Sequence, residues 1–207
     1  TTPMTAERTT PVDAVPILVA HGTRSVHGVR TIGLIAEQLG ALIGPIRTAF
    51  VDVLGPTPEE LLRDTDRPAV VLPAFLAAGY HVRRDIPEHI AASRHPRVTL
   101  CRNLGPDPIL AEILLDRLRT AGYHDGDRVV LAAAGSSDPQ ALAEVQLAAR
   151  MLSVVIGTDV AVGYIATGEP KVADVVAAVR HSHRGSKRRV FIASYLLAPG
   201  LFHDRLA

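Results

Sequence analysis

Apolar residues along the chain fall into short runs and longer periodic stretches that alternate with few exceptions. Val15–Ala20 is an apolar run that stops at His21-Gly22, which predicts a strand and a tight turn. Val29, Ile32, Ala36, Leu39 and Ile43 then recur at helical spacing, and Gly44-Pro45 ends them. Ile46–Val53 is rich in β-branched and aromatic residues and predicts a second strand. Pro58-Glu59-Glu60 opens a short helix, with proline and acids where a first turn tolerates them. Val70–Leu76 predicts a third strand, Asp85–Ser93 a helix and Arg97–Arg102 a fourth strand. Asp107-Pro108 is an N-cap followed by proline at the first helical position, with Leu110, Ile113, Leu114 and Leu118 on one face. After a polar loop, Tyr123–Asp127, the cycle restarts. Val129–Ala133 predicts a strand, Pro139–Val155 a helix and Val160–Ala166 a strand. Val172, Val175, Val176 and Val179 mark a helix, and Arg189–Leu197 the last strand. Strands alternating with helices predict an α/β chain of parallel strands joined by right-handed crossovers.

The second cycle repeats the first. Leu18–Thr23 matches Leu131–Ser136 at an offset of 113, and Phe50-Val51-Asp52 matches Tyr164-Ile165-Ala166 at 114. At that second offset Pro56 falls on Pro170 and Leu61 on Val175. Phe75–Ala78 matches Tyr195–Ala198 at 120. Slowly rising offsets are what small loop insertions leave in a duplicated unit. The expected architecture is two similar lobes, each a parallel sheet flanked by helices. Residues 15–122 form an N-terminal lobe and residues 123–207 a degenerate C-terminal one. Residues 1–14 read as a polar, disordered leader. The second copy stops before counterparts of the fourth strand and the Asp107 helix, so its end is expected to be incomplete.

Composition narrows the class. At 207 residues the chain is long enough for two small lobes with cores. Only 4% of residues are aromatic and none is Trp, so the cores must be aliphatic, as suits buried parallel strands. A net charge of +1 draws the chain towards neither nucleic acid nor membrane, and neither is expected as a partner. The single cysteine, Cys101, excludes an intrachain disulfide and any all-cysteine metal or iron–sulfur site within one chain. The longest apolar stretch, Ala69–Tyr80, is too short to span a bilayer, and a cytoplasmic location is expected. Without a G-x-S-x-G, a P-loop or a G-x-G-x-x-G, the hydrolase, NTPase and dinucleotide readings lose their best support, and no nucleotide is expected.

Candidate chemistry gathers at one edge. Parallel sheets bind ligands outside the carboxyl ends of their strands. His21 follows the first strand, Asp52 lies near the end of the second, and His81 follows the third. Two imidazoles and a carboxylate are a recognised ligand set for transition metals. The duplication supplies an internal control, because these positions correspond to Ala134, Ala166 and about Leu201. A scaffold role would be needed in both halves and a catalytic role in only one. Against this, a histidine at a strand end is often a hydrogen-bonded structural residue, and a carboxylate such as Asp52 also caps turns. Arg24, Arg83 and Arg84 surround the three, either as a basic rim for a polyanion or as solvated surface. Thr23–Ser25 precedes a helix whose free N–H groups suit a carboxylate or phosphate. His181-Ser182-His183-Arg184, with Lys187, Arg188 and Arg189, reads as a solvated turn, and His203 as a stray.

Leu18-Val19-Ala20-His21-Gly22-Thr23-Arg24 resembles the opening motif of the sirohydrochlorin chelatases, the cobalt- and iron-inserting enzymes of cobalamin and siroheme synthesis. Pro73–Pro87 resembles their second and more specific motif, and Ser194–Gly200 its degenerate counterpart in two-lobed members. The resemblance covers nearly all of Pro16 to Ala207. It implies a bilobal class II chelatase fold with a cleft between the lobes, and a lyase-type metal chelatase. It implies that His21 and His81 bind the metal and assist deprotonation. The family often has Glu where this chain has Asp52, whose acid function is kept at a shorter reach. Gly22, Thr23, Arg24, Arg83 and Arg84 are the expected substrate-binding set. The implied reaction inserts a divalent metal, Fe2+ favoured, into sirohydrochlorin. The ion is a substrate, and the partner is a tetrapyrrole. The alternatives are a cobaltochelatase using Co2+, a non-catalytic tetrapyrrole or metal carrier, and a sugar- or nucleotide-processing α/β enzyme. Long family members carry a His-rich tail and an iron–sulfur motif; this sequence shows neither, and no iron–sulfur cluster is expected. A two-lobed chain can close its own cleft, so a monomer is expected.

Overall fold

The computed structural model describes residues 13–182 and 188–206. Nearly all of the leader assigned to residues 1–14, and the His183–Lys187 part of the basic turn, lie outside the described residues.

The first lobe is a parallel sheet of order β2-β1-β3-β4, with β1 Val15–Ala20, β2 Arg47–Phe50, β3 Ala69–Pro73 and β4 Val98–Leu100. Helices α1 Val26–Ile43, α2 Pro58–Arg63 and α3 Ile86–Ser93 cover it. The central strand β1 shows why both faces must be covered. Ile17 and Val19 point into one core with Leu61, Leu62 and Ile86 of α2 and α3, while Leu18 and Ala20 point into the other with Ile32 of α1. Successive strand residues face opposite sides, so an unbroken apolar run needs a layer on each. Helix α2 starts on a capping box. The Thr57 hydroxyl takes the Glu60 N–H, and the Glu60 carboxylate takes the Thr57 N–H.

The second lobe is a parallel sheet of order β6-β5-β7, with β5 Arg128–Gly135, β6 Val160–Thr167 and β7 Val190–Tyr195. Helices α5 Pro139–Ile156 and α6 Val172–Ser182 flank it. A short helix, α7 Leu201–Asp204, lies near the end of the described residues. No helix among the described residues is long and apolar enough to cross a membrane.

Four details depart from the sequence pattern. Helix α4, Pro108–Thr120, falls within the residues 15–122 expected to form the first lobe, yet Ala111 and Leu118 lie in the core of the second, against α5. Its buried stripe runs through Ala111, Leu114, Leu115 and Leu118, which leaves Ile113 exposed. Strands β2 and β3 end at Phe50 and Pro73, earlier than their apolar runs suggested. The helix expected from Asp85 begins at His81, with a π-helical turn, His81–Asp85, closed by the Ile86 N–H on the His81 carbonyl.

The fourth detail is register. Leu18 lies opposite Thr48 and Leu72, and Leu131 opposite Val162 and Ala193. The third strands therefore correspond at an offset of 121, Leu72 to Ala193, and not at 120. Matching Phe75 to Tyr195 paired two aromatics that face opposite sides. Phe75 packs on the α2/α3 face, whereas Tyr195 lies in the core facing α5. A slip of one residue inverts every side chain of a strand, and only the packed layers reveal it. The corrected offset exposes an exchange between lobes. Leu76 and Ala77, just past β3, pack into the second core, and their counterparts Leu197 and Ala198 pack into the first.

Candidate active site

His21 is the first residue after β1, and Gly22 turns the chain there with φ +95°. A Cβ at Gly22 would collide with the carbonyl oxygen of Asp52, so the close crossing admits only glycine. The Asp52 N–H donates to the His21 carbonyl at 3.0 Å. The second lobe repeats this crossing with Gly135, φ +92°, against the carbonyl of Thr167. By that criterion the counterpart of Asp52 is Thr167 rather than Ala166, because a register irregularity lies between Ala133 and Gly135. At the corrected offset the counterpart of His81 is Phe202, not Leu201. The second copy thus keeps the turn and lacks both imidazoles and the carboxylate.

His81 opens the π-helical turn, and its ring meets that of His21 edge to face, centroids 4.5 Å apart at 87°. The Nδ1 of His21 is 3.0 Å from the Gly22 carbonyl, and that of His81 is 2.6 Å from the Asp85 carboxylate. Carbonyls and carboxylates only accept. Each neutral ring therefore donates from Nδ1 and keeps its lone pair on Nε2. Phe75 lies roughly parallel to the His81 ring at 6.4 Å, and Tyr80 edge-on at 6.3 Å. The pair is open to solvent: His21 is exposed and the His81 side chain is 33% exposed.

Asp52 does not join the pair. Its carboxylate accepts the Val53 N–H at 2.7 Å, and it makes no ion pair or hydrogen bond with either imidazole. Among the described residues, no group of three or more His, Cys, Asp or Glu side chains could hold a metal ion. The anticipated two-histidine, one-carboxylate set is in the structure a histidine pair with a separate carboxylate. Beyond Asp52 the chain makes a tight turn, with the Leu54 N–H on the Asp52 carbonyl at 2.7 Å and Val53 at φ +67°.

The basic residues divide. Arg24 is exposed and makes no hydrogen bond or ion pair among the described residues. It stands beside Thr23, whose hydroxyl accepts the Ser25 N–H, and Ser25, which caps α1. Arg84 pairs with Glu88 at 2.8 Å. Arg83, though exposed, is engaged by the fold, its Nε donating to the Ala78 carbonyl at 2.7 Å and lying 3.5 Å from Asp138 of the second lobe. His203 falls in α7.

Sequence reasoning passed over Asp85, although once the helical turn starts at His81 the spacing of four places both side chains on one face. It also passed over Glu144, which accepts the Ala78 N–H at 2.6 Å, and Tyr195, whose hydroxyl donates to the Leu76 carbonyl at 3.0 Å. Burial pushes the Tyr195 hydroxyl well above the ordinary tyrosine range, and the Glu144 and Asp107 carboxylates push it the same way, so it stays a donor. No local pattern marks either residue, because each acts across the lobe boundary.

A family model described as CbiX matches residues 16–121 and, separately, residues 128–206. The chain is 27% identical to the sirohydrochlorin ferrochelatase of Priestia megaterium, across 94% of this chain and 77% of that protein. It is also 27% identical to the sirohydrochlorin cobaltochelatase of Methanopyrus kandleri, across 51% of this chain and 94% of that protein. Among solved structures, SirB from Bacillus subtilis with Fe3+ shares the fold with a TM-score of 0.80 at 24% identity, over 93% of this chain and 80% of that one.

Proposed function

The chain belongs to the CbiX family, and from that premise we propose that it inserts a divalent metal ion into sirohydrochlorin, with Fe2+ the favoured ion and Co2+ the alternative. The observation that carries the reading is the His21–His81 pair at the carboxyl edge of the first sheet, both Nε2 lone pairs left unclaimed. The preference for iron rests on the ferrochelatase relative, which matches across both lobes, whereas the cobaltochelatase relative matches about half of the chain.

Seating a divalent ion in the macrocycle replaces two pyrrole N–H protons. Two neutral imidazoles suit both halves of that exchange. Their lone pairs hold the ion loosely enough to give it up, and once free of it the same nitrogens can accept protons. Asp85 fixes the His81 tautomer and stabilises that ring when it becomes cationic. Asp52, whose backbone is bonded to His21, has one carboxylate oxygen not used on the Val53 N–H, and that oxygen is proposed as a further proton acceptor. The substrate's own carboxylates meet Arg24 with Gly22 and Thr23 at the head of α1, then Arg84 and the part of Arg83 not turned to Ala78 and Asp138. Ligand exchange with proton release needs no nucleotide and no electron-transfer centre. Both lobes belong to one chain, so a monomer suffices, and it is proposed to act in the cytoplasm.

Replacing His21 and His81 together by Ala is expected to lower metal insertion, followed by tetrapyrrole absorbance, by at least about 100-fold. A rate equal to that of the unaltered protein would sink the reading. Multiple turnovers at substoichiometric protein distinguish the enzyme from a carrier, which binds once, and rates with Fe2+ and Co2+ separate the two ions.

A further inference from the structure

The segment between β3 and His81 is held from the opposite lobe. Leu76 and Ala77 pack into the second core, and the Tyr195 hydroxyl donates to the Leu76 carbonyl at 3.0 Å. Two residues on, the Glu144 carboxylate of α5 accepts the Ala78 N–H at 2.6 Å, a short charge-assisted bond. Arg83, two residues beyond His81, closes the segment by bonding the Ala78 carbonyl and approaching Asp138 at the head of α5. His81 therefore lies between two anchor points, and both lead to the lobe that carries neither histidine of the pair.

The pseudo-symmetric segment shows that docking the lobes does not require these polar contacts. Leu197–Gly200 crosses to the first lobe in the same way, with Leu197 and Ala198 in its core and Gly200 against Thr23. There the counterparts of Asp138, Glu144 and Tyr195 are Ser25, Thr31 and Ala74. Ser25 caps its own helix, and the Thr31 hydroxyl donates to the His27 carbonyl within α1. Among the described residues none of the three hydrogen-bonds the crossing segment. The clamp exists only on the segment that leads to a histidine of the pair; the other leads to Phe202 at the corresponding position.

We propose that Glu144, assisted by Asp138, is a positioning residue that holds Ala78 and thereby sets His81 against His21; this rests on the chelatase reading above. The second lobe then has a definite task. It retains the fold of the first and uses it to fix one imidazole, where a misplacement of about 1 Å can lower a rate on the order of 100-fold.

The test uses the whole chain. Glu144→Ala is expected to lower the turnover number for metal insertion by roughly 10- to 100-fold with little change in KM for sirohydrochlorin. Co2+ binding to the protein alone, read from the visible absorption of the imidazole-bound ion, should weaken about tenfold or more. Glu144→Gln restores an acceptor for the Ala78 N–H and should recover most of both. Asp138→Asn keeps the cap on α5 but loses the pairing with Arg83, and should show a smaller loss in the same direction. If Glu144→Ala inserts metal and binds Co2+ like the unaltered protein while His81→Ala is inactive, the clamp is refuted and the chelatase reading stands. If Glu144→Ala and Glu144→Gln are equally impaired and both unfold at much lower temperature, Glu144 is merely structural and the proposal fails. If His81→Ala itself inserts metal at the normal rate, the chelatase reading fails and takes the clamp with it.

Discussion

Val53 is held at φ +67° although it is β-branched and 46% exposed, so core packing does not ask for its side chain. The strain comes from the neighbouring contacts. Asp52 must bring its carbonyl over Gly22 and take the Val53 N–H on its carboxylate, and Val53 absorbs the reversal that follows. A left-handed conformation costs an ordinary residue about 1–2 kcal/mol, and glycine loses roughly 0.5–1 kcal/mol more chain entropy on folding. Val53→Gly is therefore expected to raise stability by up to about 1 kcal/mol in urea unfolding. A loss of stability would mean that the valine side chain itself holds the turn. The same turn explains why Asp52 stands apart from the imidazoles. Its backbone is tied to His21, while its carboxylate is spent on the next peptide.

Asp127 joins elements rather than residues. Its carboxylate takes the Arg189 N–H at 3.0 Å, the His124 N–H at 3.1 Å and the Arg189 guanidinium at 2.9 Å, fastening the loop before β5 to the start of β7. The Arg189 backbone N–H, with smaller help from the His124 N–H and the guanidinium, holds this carboxyl below the usual aspartate range. A carboxyl whose folded value is depressed contributes stability above its unfolded value, about 3.9, and loses it as pH falls through the folded value. Urea midpoints between pH 3 and 7 should fall towards the acid end. Asp127→Asn should be less stable at neutral pH and show a flatter acid limb. An identical pH slope in the variant would show that Asp127 is not the group responsible.

At the scale of the molecule, each lobe places a segment against a helix of the other, α1 in one case and α5 in the other, and the two junctions differ in room. A Cβ on Gly28 of α1 would come within 2.6 Å of the Pro199 carbonyl and 2.5 Å of Thr23 Cγ2. Its counterpart in the other junction is Ala141, whose methyl already fits, since a Cβ built on Gly79 would lie 3.8 Å from it. Gly28→Ala should push the 197–200 segment off α1 and cost about 1–3 kcal/mol, read by thermal unfolding and by faster amide exchange in that segment. Unchanged exchange there would mean that the first junction can relax as the second does.

Short-range signals made much of this protein legible in its sequence. Helical and strand periods act over a few residues, as do proline at the start of α2, α4 and α5 and the Asp107 cap, and all of them survive in the fold. The alternation of elements, the duplication and the placing of His21 and His81 on one edge follow from them. The tertiary structure alone decided the rest. It turned Phe75 and Tyr195 to opposite faces, because a strand's face depends on which layer covers it. It gave α4 to the second core, because an amphipathic helix does not specify its partner. It left Asp52 outside the histidine pair, because side-chain reach depends on the turn around Val53. And it brought Glu144 to a peptide 66 residues away in the chain, a contact that exists only once two lobes have docked and that no local pattern encodes.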